Sequence, residues 1–419
     1  MFAIERIHDA LTPFVTAMFL AACLVGFAQT VWGNPQYEQG VSLQSSKPTL
    51  LDGFGFAVAT EGDQVLVGSP HAAGIRGQTG KAFLFHRESG KLLREFVPPS
   101  PMGNDLFGLS VSLSSQHVIV GAPRGQGGER RSVGSVSVFD RETGKIQRVV
   151  NSPNPTVAAF GHAMATQGSL LAIGDPGAST STNFDVGEAY LVDLNNGKII
   201  RTFSSPLAKH SKPDGFGHSL AFMGDMLAIG APMSGTDPDD HGQVFLFDYT
   251  TGELKATLQS PEPQGDEYFG WSLSGDAETL LVGALGHGRN HADAESGAAY
   301  VFASNGECLK TFELPQPQKG DHFGEAVTHL EDYYVISAPG DDTSGMDAGS
   351  IFIFDQQSGA LRFKISNPSK TTGVADLFGL SLKGKGTHLV VGSPYGDLIE
   401  MPDAGIVHQF NLKSSMEEQ

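Results

Sequence analysis

The feature that most restricts the fold of this chain is a Phe-Gly pair that recurs along its length. The pairs begin at Phe54, Phe107, Phe160, Phe216, Phe269, Phe323 and Phe378. The spacings between them are 53, 53, 56, 53, 54 and 55 residues. Periods of this size are typical of propellers, solenoids and other arrays. We therefore expect one supersecondary unit repeated seven times.

Each unit contains four segments with the composition of β-strands. The first segment follows Phe-Gly, and the second is an apolar run that ends near Gly-Ala-Pro, for example at 118–123. The third is apolar at consecutive positions, for example at 351–354, and the fourth follows a polar turn, for example at 91–96. Continuous apolar runs predict strands covered on both faces. Thr143-Gly144 supplies the positive φ that a hairpin turn needs. No helical periodicity appears after the N-terminal leader.

These patterns predict an all-β fold, a seven-bladed β-propeller of four-stranded antiparallel blades spanning residues 34–410. Its repeats start near residues 52, 105, 158, 214, 266, 321 and 376, and residues 411–419 form a polar C-terminal tail. The second residue after each Phe-Gly is always Ala or Ser, which suits a crowded innermost strand. The last unit lacks a fourth strand, so residues 41–45 are expected to pair antiparallel with 405–410 and close the ring.

Residues 1–33 are expected to direct the chain rather than join the fold. No Asp, Glu, Lys or Arg occurs from Ala10 to Tyr37, which is typical of a signal peptide, with a candidate cleavage site after Ala28. Two alternatives stay open: an uncleaved N-terminal membrane anchor, and lipidation at Cys23 within a Leu-Ala-Ala-Cys box. All three predict a secreted, periplasmic or cell-surface protein, two of them with a membrane tether.

Composition excludes several classes of protein. The net charge is −19 and there is no cluster of Lys and Arg, which argues against a nucleic-acid partner. The folded part contains only Cys308, so a disulfide framework and a cysteine-based metal site are excluded, and Cys308 is interpreted as a buried apolar residue.

The seven units resemble the FG-GAP repeat family, whose best-known members form the head of integrin α chains. The segments 269–273 (Phe-Gly-Trp-Ser-Leu) and 337–342 (Ser-Ala-Pro-Gly-Asp-Asp) look most like the short bacterial subtype. The resemblance covers residues 41 to 410 and implies extracellular recognition, in some members adhesion. Calcium loops of the integrin type do not fit here, because links such as 59–63 are too short to offer six to eight oxygen ligands.

The long polar loops after the second strands of units four to six form the candidate ligand-binding face. We singled out its acidic residues and histidines: Asp237, Asp239, Asp240, His241, His287, His291, Asp293, Asp341, Asp342 and Asp347. The alternative is ordinary solvated loop. No cofactor is expected and the metal content is unknown, although a weak site for a divalent cation would fit the same residues.

Two further sets of residues have a structural and a chemical interpretation. An acid stands two residues before the Phe in six units: Asp52, Asp105, Asp214, Glu267, Asp321 and Asp376. Turn caps that accept backbone N–H groups are favoured over a cation-attracting ring at the axis. His162 and His218 occupy equivalent positions of neighbouring units, where filling space is favoured over acid–base catalysis with Asp214 or Glu325.

Together these observations favour a non-catalytic recognition or adhesion module that binds a protein or a surface ligand of unknown identity. A hydrolase-like enzyme with its site at the axial mouth of the propeller is the alternative, although no catalytic residues can be named. A structural envelope component is the second alternative. Fold alone does not decide among the three.

The leader predicts export. Cells that express the full chain should export it to the envelope or medium fraction, because the apolar segment without charged residues from Ala10 to Tyr37 is typical of a secretory signal. Immunoblots of cytoplasmic, membrane and extracytoplasmic fractions measure this. A version lacking residues 1–33 is the matched control and should stay in the cytoplasm; uncut full-length protein in that same fraction would contradict the prediction.

Overall fold

The structure is a computed structural model that describes residues 37–74, 77–125, 133–154, 159–179, 186–207, 213–235, 241–288, 295–369, 375–398 and 401–412. The leader 1–33 and most of the tail 411–419 lie outside the described residues. Within the described ranges, no helix is long and apolar enough to cross a membrane.

Seven sheets of four antiparallel strands make up the described fold, as the repeat predicted. We number the blades by their Phe-Gly pairs and the strands from the inside outward. The first strands are Ala57–Glu61, Ser110–Leu113, Met164–Gln167, Ser219–Met223, Ser272–Gly275, Val327–Leu330 and Ser381–Lys385. The second strands are Gln64–Ser69, His117–Ala122, Leu170–Asp175, Met226–Ala231, Thr279–Ala284, Tyr333–Ala338 and His388–Ser393.

The outer half of each blade follows the same order. The third strands are Lys81–His86, Ser135–Asp140, Glu188–Asp193, Gln243–Asp248, Ala298–Ala303, Ser350–Asp355 and Ile406–Leu412. The fourth strands are Leu92–Phe96, Ile146–Asn151, Ile199–Ser204, Leu254–Leu258, Cys308–Glu313, Leu361–Ser366 and, for blade seven, Tyr37–Gln39. A small hairpin, Ala73–Gly74 with Gly77–Gln78, and a 3₁₀ turn, Asp342–Ser344, lie in loops between second and third strands.

The first strands of neighbouring blades contact one another around a closed cycle that includes blades seven and one. Each first strand starts at one end of the propeller, which we call the upper face. The loops between second and third strands and the links between blades lie at this face, because the strands alternate in direction. The hairpins lie at the opposite, lower face.

The ring is closed by the N-terminal segment, as expected from the missing fourth strand of the last unit. Leu43 and Val407 exchange two backbone hydrogen bonds of 2.7 and 3.0 Å. Gly40 N–H donates to the Gln409 carbonyl at 2.8 Å, and Gln409 Nε2 donates to the Val41 carbonyl at 2.7 Å. The regular strand lies slightly earlier than predicted, at Tyr37–Gln39, and Leu43 forms an isolated bridge.

Each Phe-Gly pair joins its own blade to the preceding one. All seven phenylalanines are 0% exposed. Phe107, for example, packs in a cluster with Leu84 of blade one and Val120 of blade two. The glycines that follow have φ between +90° and +99°, or +89° at Gly270, where a side chain is disfavoured. A Cβ on Gly108 would lie 2.3 Å from the Lys81 carbonyl oxygen, so only glycine lets the two blades approach this closely.

The small residue after Phe-Gly-x has a second role that crowding alone does not explain. In four blades it is a serine whose hydroxyl donates to the carbonyl of the next blade's Phe-Gly glycine. These bonds are Ser110 to Gly161 (2.6 Å), Ser219 to Gly270 (2.6 Å), Ser272 to Gly324 (2.8 Å) and Ser381 to Gly55 (2.7 Å). The last of these bonds crosses the ring closure, so it supports the same junction as Leu43 does.

Removal of residues 34–46 should destabilise the fold far more than removal of residues 414–419. The first deletion removes Leu43, which is 2% exposed, and leaves the backbone groups of Val407 without partners. Losing a buried Leu alone costs on the order of 3 kcal/mol. Thermal melts and size-exclusion chromatography of both truncations measure the effect, and the bared strand edge should also promote association. Equal melting temperatures would show that the closure contributes little.

Candidate functional site

The structure describes five of the ten residues predicted for the ligand-binding face: His241, His287, Asp341, Asp342 and Asp347. The other five lie outside the described residues: Asp237, Asp239, Asp240, His291 and Asp293. The described ones fall into two groups, one between blades four and five and one on blade six.

His241 and His287 are joined through the link between blades four and five. His241 Nδ1 lies 2.8 Å from the Gln264 carbonyl oxygen, and Gln264 Nε2 lies 3.5 Å from His287 Nε2. His287 Nδ1 lies 3.1 Å from Oε1 of Glu267, which is 0% exposed. Burial alone would lower the pKa of His287, but the hydrogen bond that its ring donates to Glu267 and the charges of Glu267 and Glu313 outweigh burial and raise the pKa.

The blade-six group is a braced loop. Both oxygens of Asp341 accept hydrogen bonds from Lys364 Nζ, at 2.9 and 2.8 Å, and Asp341 also accepts from Ser350 Oγ at 2.9 Å. Burial opposes ionisation of Asp341, but these bonds prevail and lower its pKa. Asp342 accepts from the backbone of Asp347 at 2.8 Å. The carboxylate of Asp341 is thus occupied within the protein, whereas Asp342 is exposed and Asp347 is half-buried.

A metal site is not assembled by these groups. Among the residues that the structure describes, no set of three or more His, Cys, Asp and Glu side chains is arranged to hold a metal ion.

The acids that precede Phe-Gly cap turns at the upper face. Five accept a backbone N–H bond: Asp52 from Thr49 (2.8 Å), Asp105 from Met102 (2.7 Å), Asp214 from Phe216 (2.9 Å), Glu267 from Gln264 (3.1 Å) and Asp321 from Gln318 (2.6 Å). Asp376 instead accepts from Asn367 Nδ2 at 2.8 Å. All six are 5% exposed or less, so they are part of the scaffold and not an open ring of charge.

Blade three, which has Ala158 in place of the acid, takes a carboxylate from elsewhere. Asp175 Oδ1 accepts from the Ala159 backbone N–H at 2.7 Å, and the side chain is 0% exposed. Burial raises the pKa of Asp175 to about 7. Sequence reasoning missed this residue, although a signal was present: Asp175 stands before a proline where the other units carry Ala or Ser.

A collar of strained residues surrounds the upper mouth of the ring. The residue directly before each Phe-Gly has a left-handed φ in six blades: Gly53 (67°), Leu106 (56°), Gly215 (69°), Tyr268 (55°), His322 (53°) and Leu377 (50°). A side chain in this region costs roughly 1–2 kcal/mol relative to ordinary backbone. Glycine meets the need of the fold in blades one and four, yet four blades carry large side chains there.

Just inside the collar, four side chains of consecutive blades form an axial row. The ring of His162 lies 4.9 Å from that of His218, which lies 4.3 Å from that of Trp271. Trp271 Nε1 donates to Glu325 Oε1 at 3.1 Å. The equivalent residues of blades seven, one and two are Leu380, Phe56 and Leu109, so the other half of the ring is apolar.

Burial shifts the pKa values of the ionisable groups in the axial row. Burial lowers the pKa of His218 to about 3 and also lowers that of His162. Burial raises the pKa of Glu325 to about 7. His218 Nδ1 is buried without a hydrogen-bond partner within the described protein. The two histidines contact each other between blades, in keeping with the space-filling interpretation, and no nucleophile accompanies them among the contacts that the structure describes.

Comparison with known proteins supports the repeat assignment. Residues 94–139, 253–302 and 316–354 match the FG-GAP repeat family. These segments contain the Phe-Gly pairs of blades two, five and six, and the four remaining units have the same strand order in the structure. No curated protein matches the chain.

Replacing Glu325 with Gln should change how stability depends on pH. The folded-state pKa of about 7 exceeds the usual 4.5, so the folded protein holds the proton more tightly than the unfolded chain does. The wild type therefore loses stability as pH rises from about 4.5 to 7. Glu325→Gln should match it at pH 4 and melt higher at pH 8, since the amide oxygen still accepts from Trp271. Glu307→Gln, at an exposed site, is the control; a parallel pH profile of Glu325→Gln and wild type would contradict the assignment.

Proposed function

Because the chain is a β-propeller that carries FG-GAP repeats, we propose that it is a non-catalytic recognition module that binds a protein or surface ligand outside the cytoplasm. FG-GAP propellers commonly serve binding or adhesion and are generally non-enzymatic. The binding surface that we propose is the upper mouth on blades four to six.

The collar is the observation that carries this proposal. In blades five and six, Tyr268 and His322 keep aromatic side chains in a backbone conformation that favours glycine, whereas blades two and seven carry leucines there. Gly53 and Gly215 occupy the same position, so the fold does not require those side chains. Strain retained without benefit to folding is typical of surfaces that contact a ligand.

The contacts of Tyr268 and His322, the collar residues of blades five and six, are the reason why we place the proposed surface on blades four to six. The backbone N–H of His322 donates to the Glu295 carbonyl at 3.2 Å, and the N–H of Phe269, which follows Tyr268, donates to the His241 carbonyl at 3.0 Å. Tyr268 and His322 are thereby tied to the long acidic loops of blades four and five. Tyr268 also packs edge-on against Trp271, with 6.0 Å between ring centroids.

An aromatic and polar surface of this kind suits a macromolecular partner. Tyr and Trp are enriched at the centres of protein interfaces, because each combines a large apolar area with a hydrogen-bonding group. The acidic loops around them would favour a partner with basic groups, and would raise the rate of association at low salt. Among the described acids of these loops, Asp342 is exposed, and Glu295 and Asp347 are half-buried.

Tyr268→Gly combined with His322→Gly should abolish partner binding without weakening the fold. Glycine relieves the left-handed strain, so the melting temperature should stay within a few degrees of wild type. Mature protein carrying an affinity tag is incubated with envelope extract, and captured proteins are quantified by mass spectrometry. The double variant should lose its enriched partner at least tenfold, the loss typical of removing interface hot spots.

The matched control is Leu106→Gly with Leu377→Gly, which relieves the same strain in blades two and seven, outside the proposed surface. It should retain the partner. Equal capture by both double variants and the wild type would refute the mouth as the binding surface. Equal loss in both would instead place the surface around the whole collar and contradict the restriction to blades four to six.

A further inference from the structure

The propeller axis contains a cavity that the proposed function does not use. Its volume is about 680 Å³, and the first strands of all seven blades line it. It reaches the turns between first and second strands at the lower face, where Gly224 and Ala277 belong to its wall. The axial row of His162, His218, Trp271 and Glu325 lies outside this lining, toward the upper face.

One blade places a lysine in this cavity where the others have small residues. Lys383 is the third residue of the first strand of blade seven and belongs to the cavity wall. The equivalent residues of the other six blades are Ala59, Ser112, Ala165, Ala221, Ser274 and Thr328. Because its neighbours are small, Lys383 has room to extend into the cavity, and its side chain is accessible to water while enclosed by the ring.

The other charged groups of the cavity are already paired. Lys385 Nζ lies 3.4 Å from Glu61 Oε2 at the lower rim. Asp276 caps its own turn by accepting from Thr279 N at 2.7 Å, and its second oxygen lies 3.5 Å from His329 Nε2. Burial lowers the pKa of His329 to about 4, so that ring is neutral at pH 7.

Lys383 has no such partner. Among the described residues, no carboxylate lies within ion-pairing distance of its ammonium group. Burial within the ring, and then the charge of Lys385, lower the pKa of Lys383. Because the side chain is open to the water of the cavity and has no counter-ion there, its ammonium group is available to an anion that enters the ring.

We propose that the axial cavity binds a small hydroxylated carboxylate, with Lys383 as its anchor. The carboxylate would accept from the Lys383 ammonium group, a charge-assisted bond that is stronger than a neutral one. Around it, Thr60, Ser112, Thr166 and Gln167 belong to the cavity wall. Their hydrogen-bond donors are engaged within the protein, Ser112 with Thr166 and the other two with backbone carbonyls, but each side-chain oxygen can still accept from a ligand hydroxyl. A cavity of about 680 Å³ lies within the range of small-molecule sites.

Titration calorimetry with gluconate tests this site on the mature protein. Gluconate carries one carboxylate and several hydroxyls, and sorbitol is its uncharged counterpart. Wild type should bind gluconate saturably and show no saturable heat with sorbitol. Lys383→Met should weaken gluconate binding at least tenfold, in line with the loss of one hydrogen bond between charged groups, whereas Lys383→Arg should retain part of the affinity.

Lys385→Met is the matched control, since Lys385 belongs to the same strand and the same cavity wall but is paired with Glu61. It should bind gluconate within about threefold of wild type, and melts of each variant confirm that it is folded. Absence of saturable gluconate binding to wild type, equal binding of gluconate and sorbitol, or equal loss in both methionine variants would overturn the proposal. The site lies below the axial row, so these results are independent of partner capture at the upper mouth.

Discussion

The close contact between blades at each Phe-Gly pair is the interaction on which the rest of this structure depends. A buried phenylalanine fills the space between two blades, and the glycine after it brings the backbone of one blade against the next. Removing such a buried ring typically costs 3–5 kcal/mol. Since the same contact recurs at every junction, its geometry sets the angle between blades and thereby the number that closes the ring.

The repeated contact brings blade seven next to blade one, but blade seven differs from the other blades in the source of its fourth strand. The last blade takes its outer strand from the N-terminal segment, so the two ends of the chain are held together at Leu43 and Val407. Ser381 adds a hydrogen bond to Gly55 across the same junction. This pairing covers the edge of the third strand of blade seven, which would otherwise be free to pair with another chain.

The closed ring has an upper and a lower face, and the two faces differ in chemistry. The upper end combines strained collar residues, an aromatic and polar axial row, and long loops. The axial cavity reaches the lower face, and within it Lys383 has no counter-ion among the described residues. Neither feature strengthens the fold: the collar residues retain backbone strain, and Lys383 is a charge within the ring. Such departures from local rules are where function is expected in an otherwise regular fold.

Sequence by itself determined the repeat, the strand order and the closing segment, because these depend on short-range patterns: the Phe-Gly spacing, consecutive apolar residues and turn glycines. It also favoured capping for the acids before Phe-Gly. Only the tertiary structure revealed that Asp175 supplies the missing cap of blade three, that serines bond to the next blade, and that Tyr268 and His322 adopt strained conformations. It alone brought Lys383 into a cavity without a counter-ion. The serine bonds join residues some 50 positions apart, such as Ser110 with Gly161, and the cap of blade three joins Asp175 to Ala159. The collar depends on backbone angles, and no local pattern specifies these contacts or angles.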